Sequence, residues 1–181
     1  FILPESLKKI TDTLNILASE TFSSVSAPIQ YAAIQAYEGD HSEYIKSSKN
    51  ILKAVGTYVY ENLNSNKILI NKPEGGFYLM PELITNKYNT SSEMCNDILE
   101  DTGVALLPGS DFGFGKKKMI VRLSFTDFNG RNFMQEYKKK HQIDIDLISK
   151  YAAKVVEGVD KLKKWSEKIW ESLYTKTSDY C

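Results

Sequence analysis

Arg122 is the residue in this sequence best placed to do chemistry. Around it, Met119, Val121, Leu123 and Phe125 alternate with Ile120, Arg122 and Ser124. A period of two is the signature of a β-strand with one face in a core. Arg122 therefore projects from the face opposite four large apolar side chains. A guanidinium is planar, permanently charged and forked, and it matches a carboxylate with two parallel hydrogen bonds. Recognition of an anionic group is the chemistry on offer. The plainer explanation is an arginine on a half-exposed strand paired with a surface acid, because charged side chains are mostly solvated.

Two glycine-bearing stretches flank this strand. Leu106-Leu107-Pro108-Gly109-Ser110-Asp111-Phe112-Gly113 reads as a turn-rich loop leaving a buried strand. Upstream, Gly75 and Gly76 allow a tight bend and close backbone approach just before Phe77 and Tyr78. Several familiar sites are excluded. Gly115-Lys116 lacks the earlier glycine of a phosphate-binding P-loop, and Lys117 stands where Ser or Thr is required. Gly113 and Gly115 do not continue into a dinucleotide fingerprint. His41 and His141 are far apart and lack metal-ligand spacing, and there is no serine nucleophile elbow. No metal site and no catalytic residue is expected.

Composition bounds the rest. The 181 residues suit one domain, at most with an appendage. Lys+Arg and Asp+Glu both number 23, so the formal net charge is zero and nothing points to nucleic acid or an anionic membrane. No apolar run reaches the length of a membrane span. The Lys138–Lys140 run reads as a solvated helix end. Cys95 and Cys181 suggest neither a disulfide framework nor a metal site, and a reducing cytoplasm is the default. The first residue is Phe, which suggests a fragment or processed chain.

These segments require particular elements to position them. Phe1–Leu3 is a short apolar run stopped by Pro4, which opens an amphipathic helix carrying Leu7, Ile10, Leu14 and Leu17. Ile29–Tyr37 reads as a second helix, and Pro28 disfavours a helical Ala27. His41–Asn62 is a longer one, with Tyr44, Ser48, Leu52, Val55, Val59 and Leu63 as its stripe and Ile45, Ile51 and Tyr58 widening it. Short strands follow at Ile68–Ile70 and Gly76–Met80. Ser91-Ser92-Glu93 caps a helix to about Thr102, with Met94, Ile98 and Leu99 inward and Gly103 as C-terminal cap. After the Arg122 strand come a charged helix, Arg131–His141, and one long helix from Asp144 to about Tyr174. The fold class is α/β of an α+β-like kind: helices layered on a small sheet of about four short strands.

Val104–Asp127, with its LLPGSDFG and VRLSF segments, resembles the last small-domain strands of class I/II aminotransferases, pyridoxal-phosphate enzymes of fold type I. Pro73–Leu79 resembles that family's PxGGFYL strand entry. Ser19–Ala33 resembles the turn from interdomain helix to small domain. The three occur in family order between Phe1 and about Asp127. The resemblance implies that residues 1–27 are the end of a large domain with the interdomain helix, and that residues 28–181 are the C-terminal small domain. It implies that Arg122 binds the α-carboxylate of an amino-acid or 2-oxo-acid substrate, with Phe77 near the substrate entrance. Ser23, Ser24 and Ser26 would run close to a neighbouring subunit's site, where a serine-rich helix junction is the plainer account.

The same resemblance implies a homodimer and a pyridoxal 5'-phosphate cofactor held by a missing N-terminal domain. Its imine-forming lysine would lie upstream of Phe1, so the chain alone should be inactive. A synthase, lyase or decarboxylase on the same scaffold, or a truncated interaction module, are the alternatives. The substrate side chain is not legible. Arg131–Ile143 is longer than the family pattern leads one to expect and reads as an added surface helix.

Overall fold

The computed structural model describes residues 3–21 and 24–175. The apolar run at Phe1–Leu3, like Ser23 and the tail beyond Thr175, lies wholly or partly outside them. By its backbone contacts the chain forms two units, Phe1–His41 and Ser42–Cys181.

In the first unit, Pro4 is followed by a 3-10 turn over Glu5–Ile10, then α1 (Thr11–Thr21) and α2 (Ala27–Glu38). Helix α2 begins two residues earlier than the sequence suggests, and Ala27 is helical despite Pro28. Pro28 sits in the first turn, where the amide hydrogen it lacks has no partner within the helix in any case. Neither helix contains a buried residue, and Ile16, Leu17, Ile29 and Tyr31 are exposed.

The second unit is built on α3 (Ser42–Leu63), α4 (Ser91–Thr102), α5 (Gly130–Lys140), α6 (Ile145–Tyr151) and α7 (Ala153–Thr175). Its strands are β1 (Ile68–Leu69), β2 (Tyr78–Leu79), β3 (Glu82–Leu83), β4 (Leu107–Pro108) and β5 (Val121–Ser124). All pairings are antiparallel: β1 with β3, and β2-β5-β4 with β5 in the middle. A bridge between Glu82 and Ile120 links the two small sheets. This is the expected layering of helices on short strands. Strand β3 is an addition, since a two-residue strand leaves no period in the sequence.

The core lies between the sheet and α3, α4 and α7, with Phe125, Phe133, Met94, Ile98, Val55, Val59 and Val121 almost wholly enclosed. On α3 the buried line is Ser47, Ile51, Val55, Val59 and Leu63, spaced by four. Tyr44 and Ile45, expected inward, are 59% and 61% exposed. Both stand on the side of the buried line but in the first turn of α3, ahead of its first buried residue, Ser47. Further along, Phe125 occupies the space beside Gly56. A Cβ at Gly56 would stand 2.9 Å from the end of the Phe125 ring.

Gly56→Ala gains about 1 kcal/mol of helix propensity and loses ~1–3 kcal/mol to overpacking against a ring that cannot swing into solvent. The expected net result is a melting temperature lower by about 2–4 °C, and a rise on calorimetry would show that the ring yields.

Helix α4 is capped by Thr90, whose hydroxyl accepts the Glu93 amide at 3.2 Å. The expected cap at Ser91 is instead a fully buried first-turn residue. Gly103 is left-handed at φ 73 and closes the helix as expected. Leu99, expected inward, is exposed, and Cys95 takes that place. The single terminal helix expected from Asp144 is two helices, broken at the fully buried Ala152. The break lets Leu147 and Ile148 pack beside α5 while Val155, Val159, Leu162, Trp165 and Ile169 run along α3 and α4. Nor is α5 a mere surface addition. Phe133 is fully buried, edge-on to Phe128 and stacked on Tyr151.

Candidate functional site

Strand β5 does what its alternation requires. Val121 and Leu123 are buried, while Arg122 is half-buried on the other face and Ser124 is exposed. Ile120 breaks the pattern: it is buried too, because the backbone of Gly109 packs directly against it. The central position of β5 matters for Arg122. Leu107 of β4 pairs with it on one side. On the other, Tyr78 of β2 pairs with Ser124, which places Tyr78 diagonally across from Arg122 on the same face.

The guanidinium is held by rings. Its Cζ lies 4.4 Å from the centroid of Tyr78 and 4.2 Å from that of Phe112. Phe77 leans on Tyr78 with centroids 4.3 Å apart. Its carbonyl accepts the Phe125 amide at 3.3 Å, which fixes the strand end. Among the described residues, Arg122 forms no ion pair and no side-chain hydrogen bond. The surface acid of the plainer explanation is therefore missing. Two rings lie against a half-buried guanidinium whose N–H groups have no side-chain partner among the described residues, and such a group suits a carboxylate. Tyr78, Phe112 and the paired Leu107 are themselves partly exposed, so the surround of Arg122 is apolar and open.

The bend before β2 is as expected, with Gly76 at φ 71. The turn before β5 matters more than the sequence reading suggests. Gly109–Phe112 forms a 3-10 turn ended by left-handed Gly113 at φ 87, and that turn carries Phe112 to the guanidinium. Sequence reasoning passed over Phe112. The glycine punctuation around it was the available signal, but period and spacing do not say where a turn residue points.

Other candidates recede. Ser24 is exposed, and Ser26 precedes α2 without a side-chain capping bond. Burial pushes the Cys95 thiol up to about 11, which suits packing rather than nucleophilic chemistry. No cluster of metal-ligating side chains occurs among the described residues, and none of their helices is long and apolar enough to cross a membrane. A cavity of about 700 Å³ between α3 and α5, lined by Tyr44, Ile51, Phe128 and Met134 among others, does not include Arg122.

A second polar group ties the 85–90 loop to α4. The Tyr88 hydroxyl donates to Asp97, and Lys87 reaches the same carboxylate at 3.1 Å. Burial and the bond to Asp97 hold the Tyr88 hydroxyl protonated well above the usual phenol range. The bond from Tyr88, followed by Lys87, holds the Asp97 carboxyl below its ordinary value. A carboxyl depressed in the folded state stabilises above its unfolded pKa, and that contribution is lost as pH falls through the folded value. Asp97→Asn should therefore flatten the loss of stability on the acid side of about pH 5. Parallel urea midpoints for the two proteins between neutral and acid pH would contradict this.

Known proteins similar to this chain bear on the site. The sequence pattern described as aminotransferase class I and II matches residues 4–133. An aspartate aminotransferase of Thermotoga maritima is 32% identical over 121 residues, covering 67% of this chain and 29% of that protein. A Saccharomyces cerevisiae protein named inactive alanine aminotransferase is 30% identical over 128 residues, covering 65% and 24%. A crystal structure of an aspartate aminotransferase from Thermotoga maritima aligns with a TM-score of 0.56 and 26% identity, over 87% of this chain and 33% of that one. The chain thus spans between 24% and 33% of the length of these relatives.

Proposed function

Because the chain belongs to the class I and II aminotransferase family, we propose that Arg122 is the substrate-carboxylate clamp of an enzyme that moves an amino group between an amino acid and a 2-oxo acid. The observation that carries this reading is a guanidinium in contact with the rings of Tyr78 and Phe112 and without an ion pair among the described residues. The family alone would not carry it, since the yeast relative is named an inactive alanine aminotransferase. An arginine set in the middle strand, in contact with two rings and without an ion pair among the described residues, is ready to take a carboxylate in two parallel hydrogen bonds.

In this reading residues 1–27 finish a larger domain and residues 28–181 form the small one, whose movement over the substrate excludes water. Phe77 and Tyr78 line the entrance. The exposed apolar side chains of α1 and α2 suit a surface covered by the rest of the enzyme or by a second copy in a homodimer. The compartment is the cytoplasm.

Pyridoxal phosphate supplies the electron sink for such a reaction. The residues present here do not make its site. An imine to the cofactor needs a lysine held in place beside it, and every described lysine is exposed except the half-buried Lys67. In this reading the cofactor is held by residues outside this chain, and this chain's part is binding and closure.

The test is an assay of the full-length protein with pyridoxal phosphate, L-aspartate or L-alanine as donor and 2-oxoglutarate as acceptor. Amino transfer that depends on Arg122 is expected. Cofactor binding with no transfer from any of the twenty common amino acids would sink the enzyme reading.

A further inference from the structure

A carboxylate clamp works only if its guanidinium is already aimed, and Arg122 has no carboxylate or carbonyl among the described residues to aim it. Its position is set by rings instead. We infer that Phe112 is a positioning residue for the clamp, and that the Pro108–Gly113 turn is the device that holds its ring against Arg122. The inference rests on the reading of Arg122 as the clamp.

Several observations converge on it. The Phe112 ring centroid is 4.2 Å from Cζ, and the Tyr78 ring lies 4.4 Å away, both well inside the ~6 Å reach of a cation–π contact. The turn that carries Phe112 is fastened to the strand that carries Arg122. The Gly109 amide donates to the Ile120 carbonyl at 2.8 Å, two residues before Arg122. The Phe114 amide then donates to the Gly109 carbonyl at 3.2 Å, closing the loop around Phe112. Gly113 takes the left-handed backbone that ends the turn. On the other side, pairing of β2 with β5 fixes Tyr78.

A side chain as long as arginine's loses considerable rotamer freedom when it binds a ligand. Stacking spends that freedom before the substrate arrives, so less affinity is lost on binding. Phe112 itself is 40% exposed. Its replacement therefore leaves no closed cavity, and variants at this position should fold.

The experiment measures KM and kcat in the full-length protein, with L-aspartate and L-alanine as donors and 2-oxoglutarate as acceptor. Phe112→Leu keeps an apolar side chain and removes the ring. It should raise the KM for donor and acceptor by about three- to tenfold, the range expected for one cation–π contact, with kcat within about twofold. Phe112→Tyr, which keeps a ring, should restore the KM. In an Arg122→Ala background Phe112→Leu should add nothing further, because its effect runs through the guanidinium.

Three results overturn the inference. An unchanged KM in Phe112→Leu, alongside a strong Arg122 effect, removes Phe112 and leaves the clamp standing. Equal losses in Phe112→Leu and Phe112→Tyr with a lowered melting temperature would make the residue structural. An unchanged KM in Arg122→Ala itself would fell the clamp reading and this inference with it.

Discussion

Replacing Arg122 with lysine in the full-length protein lowers kcat/KM for amino acids by about tenfold or more, with the KM for donor and acceptor both raised. Charge is conserved in this substitution, so long-range attraction of an anionic substrate survives. The fork is lost. An ammonium makes one good hydrogen bond where the guanidinium makes two in parallel, and a charge-assisted hydrogen bond is worth about 1.5–3 kcal/mol. The cation–π contacts are weakened too, because a planar cation against the rings of Tyr78 and Phe112 is replaced by a compact, strongly hydrated one. The fold should be unharmed. Arg122 is only half-buried and holds no partner whose charge would be orphaned. Steady-state kinetics with a melting curve alongside decides the matter, and equal kinetics for the two proteins would refute the assignment.

Gly109→Ala should be the most damaging small substitution near the site. A Cβ there would lie 2.7 Å from the Ile120 carbonyl oxygen and 3.1 Å from the Ile120 Cβ. Unlike the ring beside Gly56, the first of these is backbone in a paired strand, and it cannot step aside without breaking the 2.8 Å bond from the Gly109 amide. Overpacking of this kind costs about 1–3 kcal/mol, and a lost backbone hydrogen bond adds ~1 kcal/mol. For a domain of this size the melting temperature should fall by roughly 4–16 °C. The same change should raise the KM for carboxylate substrates, because the turn carrying Phe112 moves away from Arg122. Gly75→Ala is the control: nothing lies within 4 Å of a Cβ built there. Similar melting temperatures for the two variants would show that the close approach at Gly109 is not a constraint.

The contrast between these two glycines shows what the sequence carries. That Arg122 faces away from the core follows from period two alone, and the structure agrees. Gly103 as a helix cap follows from residue type and position. Features set by tertiary approach were not legible. Tyr44 shares a side of α3 with Ile51 and Val55 yet is exposed, because the buried stretch starts only at Ser47, and a helical wheel does not say where along a helix the core begins. The break at Ala152 has no glycine or proline to announce it. It arises because α6 and α7 have different packing partners. The side of the sheet that carries Arg122 was thus readable, whereas the rings that touch it were only half so. Tyr78 lies within a recognisable strand entry, but Phe112 reaches Arg122 through a turn whose direction depends on Gly109 and Gly113.

The central claim is that Arg122 recognises a carboxylate, and the most direct test changes the carboxylate rather than the enzyme's fold. The measurement is kcat/KM for an L-amino acid and for the amine that remains after its carboxylate is removed, in wild type and in Arg122→Ala. Wild type should prefer the amino acid by about a hundredfold or more, as expected when a bidentate charge pair goes unmade. In Arg122→Ala that preference should collapse to near unity, with kcat/KM for the amine little changed. A preference that survives the loss of Arg122 would mean that the carboxylate is read elsewhere, and the account of this site would be wrong.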